Sequence, residues 1–168
     1  MNRNTRFISP DTLWRTRPQA IARLKGSALY PNLLGTVRFY EHPYGVLVVA
    51  QAEGLPNFGN VCSSPIFALH IHEGGTCTGN GTDPFADSGM HYNPQGCPHP
   101  YHAGDLPPLF GANGYAFGAC LTNRFTLDEI IGRTVILHSS FDDFSTQPSG
   151  NAGAKIACGE IVGRIRPR

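Results

Sequence analysis

The chain has 168 residues, a formal net charge of +1 and only 15% charged residues. That length suits one well-buried core rather than two domains. The balance of charge leaves no electrostatic footprint for nucleic acid or an acidic membrane, and no apolar run approaches the roughly 18 residues that span a bilayer.

Taken in chain order, residues 1–19 carry Arg3, Arg6, Arg15 and Arg17 against the single acid Asp11. They read as an arm or tail outside the body, with Trp14 as a docking point, and residues 20–168 read as the folded domain. The first ten residues lack the apolar centre of an export signal, so the default expectation is a cytoplasmic chain. Strands are expected over 20–29 and 34–41, joined by the turn Tyr30-Pro31-Asn32. A second turn, His42-Pro43-Tyr44-Gly45, leads into a third strand over 45–53. Further strands are expected over 65–73, 114–122, 134–139 and 156–165. The one helix candidate is short, 126–131, with Gly132 as its stop. With 20 glycines and 14 prolines, short strands between turns predict an all-β antiparallel sandwich or barrel. Two segments, 73–113 and 140–157, read as long irregular loops, and loops of that length in a compact domain usually carry function.

Six of the seven histidines lie between residues 70 and 138. Side chains alternate across a strand. In Phe67-Ala68-Leu69-His70-Ile71-His72, the apolar residues Phe67, Leu69 and Ile71 therefore share the core face. His70 and His72 then project from the other face, roughly 6.6 Å apart along the strand, a spacing that grips one ion. The same parity separates His138 from Val135 and Leu137. His91 lies in a loop, and His99, His102 and Asp105 follow in a segment stiffened by Pro98, Pro100, Pro107 and Pro108. Stiffness lowers the entropy lost when ligands converge. Three histidines and one aspartate satisfy tetrahedral zinc, and an all-histidine group with an open position suits copper. His42 stands apart from this set, in its turn. Asn80-Gly81-Thr82 fits a glycosylation sequon and equally a turn, and the turn reading is favoured. None of the five cysteines, Cys62, Cys77, Cys97, Cys120 and Cys158, forms a C-x-x-C pair.

The segments FALHIHEGGTC, MHYNP, HAGDLP, IIGRTVILH and GNAGAKIACGEI occur in family order and resemble the copper–zinc superoxide dismutases. The step His72-x4-Cys77 resembles the bacterial branch. The resemblance implies an eight-stranded Greek-key barrel with immunoglobulin-like sandwich architecture. It implies copper on His70, His72, His91 and His138, and zinc on His91, His99, His102 and Asp105, with His91 bridging as an imidazolate. It implies that Asp142 ties a copper histidine to a zinc histidine, and that Cys77 pairs with Cys158. It gives no role to Cys62, Cys97 or Cys120; Cys120 reads as a small buried hydrophobe. The implied reaction takes two superoxide anions to dioxygen and hydrogen peroxide, with His91 as the proton donor and a cation to attract the anion.

Two departures from the family pattern stand out. Lys155 occupies the place of the family's active-site arginine, keeping the charge but losing the planar fork. His99 and His102 are three residues apart where the family usually has more, so either both reach one ion or one goes unused. These departures motivate an alternative, a copper-binding or copper-buffering domain with little turnover. The implied partner is superoxide, with a homodimer left open and neither nucleic acid nor membrane expected. The implied disulfide favours an oxidising compartment over the cytoplasmic default.

Overall fold

The computed structural model describes residues 15–56 and 65–164. Among these residues there are eight strands: β1 (Ala20–Gly26), β2 (Leu34–His42), β3 (Gly45–Glu53), β4 (Ile66–His72), β5 (Asp105–Ala112), β6 (Tyr115–Thr122), β7 (Thr134–His138) and β8 (Lys155–Gly163). They close into an antiparallel barrel in the order β1-β2-β3-β6-β5-β4-β7-β8. Chain neighbours β3 and β4 are not neighbours in the barrel; each pairs with a later strand, the crossover of a Greek key. Residues 1–14, with the expected docking point Trp14, and Cys62 lie outside the described residues.

Period-two patterning builds the core. Ala20, Ala22 and Leu24 of β1, Val37 and Phe39 of β2, and Val46, Val48, Ala50 and Ala52 of β3 all face inward and are buried. Leu47 and Val49 point the other way, yet Tyr40 covers them on the outer face. Phe67, Leu69 and Ile71 of β4 and Val135 and Leu137 of β7 enter the core as parity requires. Each large side chain fully removed from water contributes about 1.5–3 kcal/mol.

One element overturns the expectation for 73–113. Residues 105–112 (DLPPLFGA) form β5, and the loop ends at Asp105. The strand escapes sequence reading because Pro107 and Pro108 have no N–H to give a ladder. Opposite them, the β4 register slips between Phe67 and Leu69, so Leu106 and Leu109, three apart, both reach the core. Its other edge is thinly joined: β5 pairs with β6 only through Gly111–Ala116 and Ala112–Tyr115. Smaller differences lie at the ends. β1 stops at Gly26, where a turn begins (Tyr30 N–H to Ser27 O, 2.9 Å), and Lys155 already belongs to β8. The helix shrinks to α1 (Leu127–Ile130), started by the Glu129 carboxylate accepting from the Thr126 N–H and hydroxyl. Gly132, at φ +84°, ends it in the left-handed region that favours glycine.

The expected covalent link is present. Cys77, in the loop after β4, joins Cys158 of β8 across 81 residues. Phe85 and Ile136 pack around it.

Candidate metal centre

Residues 70 and 72 leave the β4 backbone on the face away from the core, as alternation predicts, but they do not reach solvent. His70 is fully buried and His72 is 2% exposed, because the segment between β4 and β5 and the one after β7 fold over them. An isolated bridge between His72 and His91 brings that loop against the end of β4. His138 closes the same group from β7. One ligand atom from each of His70, His72, His91 and His138 lies within 4.8 Å of the others.

The hydrogen bonds fix which ring nitrogen faces inward. His72 Nδ1 donates to Gly89 O at 2.9 Å, and His138 Nδ1 donates to Gly153 O at 3.3 Å. A carbonyl only accepts, so the neutral rings keep their lone pairs on Nε2. Those two Nε2 atoms stand 3.3 Å apart. His70 donates from Nε2 to Asp142 Oδ2 at 2.8 Å, leaving its buried Nδ1 without a partner among the described residues, as is His91 Nε2. Lone pairs converging in a buried space lack a donor, and a cation supplies what they need. Burial holds His70, His72 and His138 below the ordinary histidine range, with neighbouring histidines adding to the effect. Neutral imidazole is the form that binds metal.

The second group is built around Asp105. Its Oδ1 lies 2.8 Å from His91 Nδ1 and 3.3 Å from His102 Nδ1, and its Oδ2 lies 3.0 Å from His99 Nδ1. His99 uses Nε2 as donor to Asp142 Oδ1, at 2.8 Å. Its Nδ1 therefore faces the carboxylate as one acceptor facing another and finds no hydrogen bond. Burial opposes ionisation of Asp105, but its contacts with His91 and His102 outweigh it and hold the carboxyl below its usual range. This donor set of three imidazoles and one carboxylate fits zinc, and the all-imidazole group fits copper. His91 belongs to both, one nitrogen on each side.

The three-residue step from His99 to His102 brings both rings to Asp105. The backbone turns between them, with Tyr101 N–H donating to Pro98 O at 2.9 Å. Two side chains that sequence reasoning missed hold the turn. Arg124 donates from Nη1 to the carbonyls of Pro100, His102 and Asp105 at 3.0–3.3 Å. Gln147 brackets His99, its amide oxygen accepting from the His99 N–H and its amide nitrogen donating to the His99 carbonyl. Neither has a motif, since their partners are backbone atoms.

Asp142 spans the two groups, one oxygen on His70 and the other on His99. Burial pushes its carboxyl up, but hydrogen bonds from His70, the Phe144 N–H and His99 bring it down to about 2. Lys155 lines a cleft of about 390 Å³ with His72, His91 and His138. His42 lies outside both groups and accepts from the Tyr44 N–H in its own turn. Asn80 also makes a turn, its Oδ1 accepting from the N–H groups of Thr82 and Asp83 and from the Thr82 hydroxyl. Cys97 and Cys120 are free thiols, and burial raises that of Cys120 to about 11.

A closed antiparallel barrel with two buried ligand groups sharing one imidazole defines a protein built for two metal ions, one histidine-only and one histidine–carboxylate. Residues 33–161 match the family described as copper/zinc superoxide dismutase (SODC). The chain is 32% identical to a copper–zinc superoxide dismutase of Photobacterium leiognathi over 142 residues, covering 76% of this chain and 78% of the relative. It is 33% identical to that of Legionella pneumophila, covering 78% and 79% of the two chains. An Aquifex aeolicus relative, superoxide dismutase (Cu-Zn) 2, is 31% identical over 77% of this chain and 80% of its own. The chain belongs to the copper/zinc superoxide dismutase family.

Proposed function

We propose that this chain is a superoxide dismutase, an oxidoreductase that converts two superoxide anions and two protons to dioxygen and hydrogen peroxide, using copper and zinc. The observation that carries the reading is the shared ring of His91. Its Nδ1 faces the aspartate-containing group and its buried Nε2 faces the all-histidine group.

When bound, copper supplies the one-electron redox couple and zinc a fixed positive charge. The chain's own residues do the rest. His70, His72, His91 and His138 are assigned to copper, and His91, His99, His102 and Asp105 to zinc. Asp142 keeps His70 and His99 in the tautomers that aim Nδ1 inward. Whenever its Nε2 is not held by copper, His91 would take up a proton there and deliver it to the anion being reduced, as a general acid within the cleft. Lys155 draws superoxide into that cleft by charge. The domain reading goes with this assignment: residues 20–168 form the unit that carries both sites, and 1–19 an arm. The run of pairing from β1 at Ala20 to β8 supports it.

The test is superoxide disproportionation by purified protein loaded with copper and zinc. Turnover well above the uncatalysed rate is expected, and a rate equal to background overturns the reading in favour of copper buffering. His138→Ala should remove the activity along with tight copper binding. Undiminished turnover in that variant would mean that copper is held elsewhere.

A further inference from the structure

An ammonium group has three N–H donors, and Lys155 has committed all of them. Its Nζ lies 2.9 Å from Asp83 Oδ2, 3.1 Å from Phe85 O and 3.4 Å from Gly89 O. The ion pair is partly sheltered, with the Lys155 side chain 15% exposed and that of Asp83 38% exposed. The Asp83 carboxylate is also anchored from behind, because its other oxygen accepts from the Phe85 N–H at 2.9 Å. The surrounding turn is fixed by Asn80 N–H to Asp83 O and by Ala86 N–H to the same carbonyl. Asp83 and Lys155 both line the cleft that reaches His72, His91 and His138.

We propose that Asp83 is a built-in counter-anion that occupies the position on Lys155 needed by an incoming substrate anion, and so sets the anion affinity of the cleft. The proposal rests on Lys155 as the group that draws superoxide. Two consequences follow from elementary electrostatics. The pair presents a dipole rather than a net positive charge, so its pull on an anion falls off faster with distance. An anion that does arrive finds no free N–H until a partner is displaced. Of the three partners, the half-exposed carboxylate is the one a side-chain rotation can move, since the other two are backbone carbonyls. An arginine here would bring five donors and keep some to spare. Lysine and Asp83 therefore act in the same direction, toward a cleft selective against weakly held anions.

Asp83→Asn tests this, because the amide keeps an oxygen for the Phe85 N–H while removing the charge. In the copper- and zinc-loaded protein, kcat/KM for superoxide is expected to rise about three- to ten-fold at low ionic strength. The gain should shrink as salt screens it. Azide, titrated against the oxidised protein and followed by its visible absorption, should bind tighter by a similar factor. Lys155→Met alone should lower both quantities, and in that background Asp83→Asn should have no effect. A gain that persists without Lys155, or an Asp83→Asn variant no better than the parent while Lys155→Met is impaired, overturns the proposal and leaves the role of Lys155 standing. If Lys155→Met changes neither quantity, the role assigned to Lys155 itself fails. Lys155→Arg leaves Asp83 untouched and should recover part of the azide affinity; no gain there counts against the proposal even if the Asp83 variant does not fold.

Discussion

The sharpest constraint at the scale of single residues is at Gly150. Its φ is +68°, and a Cβ added there would lie 2.0 Å from Asp142 Oδ1 and 2.6 Å from His99 Nε2. Only a bare backbone can pass the point where the aspartate meets the histidine. Gly150→Ala should destabilise the protein by about 1–3 kcal/mol and deplete zinc before copper, since His99 belongs to one group only. Thermal unfolding with metal analysis checks this; an unchanged midpoint and full zinc would contradict it. Protonation gives a second residue-scale expectation. His72 and His138 have folded pKa values well below the ordinary 6.5, set first by burial. Below about pH 6.5 the unfolded chain takes up protons that the folded state refuses, so stability falls as pH drops, by at most about 1.4 kcal/mol per pH unit for each group. The metal-free protein should therefore melt at a lower temperature at pH 5.5 than at pH 7.5, and His72→Gln should flatten the slope. A profile without slope would mean that these rings are not held neutral by burial.

Among the elements, β4 and β7 were readable because a strand writes its two faces into the sequence at period two, and the metal loop because three histidines and an aspartate fall within fifteen residues of one another. β5 was not readable. Its two prolines contradict a ladder, and the register slip opposite them turns a period of two into a step of three from Leu106 to Leu109. The supports of the metal loop were equally silent. Arg124 and Gln147 act on carbonyl and amide groups that every residue possesses, so nothing in the composition marks them. The pairing of Asp83 with Lys155 joins positions 72 residues apart and leaves no local trace either. The loop's dependence on Arg124 is measurable. Arg124→Ala removes the donor shared by three carbonyls on the turn from His99 to Asp105. Zinc affinity should fall about ten-fold or more, as for other outer supports of a metal site, with copper affinity much less affected. Competition with a chromogenic chelator reads both, and an equal loss of the two metals would show a general loosening instead.

The molecule as a whole is a closed barrel in which one disulfide ties the loop after β4 to the last strand. His70 and His72 precede Cys77, whereas His91, His99, His102, Asp105, His138 and Asp142 all lie between Cys77 and Cys158. The bridge thus closes a loop holding most of the ligands, and in the chain-entropy picture a closure of this length contributes about 4–5 kcal/mol. The barrel is less uniform than its closed order suggests. Where β5 meets β6, two residue pairs do the joining. Beside them, a cavity of about 80 Å³ touches Pro107, Pro108, Gly118 and Cys120. This seam is where the cylinder should first unzip, by a partial opening that leaves the other strands paired. Cys120 then serves as a clock. In a variant with Cys62 and Cys97 replaced by Ser, a thiol reagent should modify Cys120 with a denaturant dependence shallower than that of complete unfolding, because only a small surface is exposed each time the seam parts. Identical dependences would mean that the cylinder opens all at once or not at all.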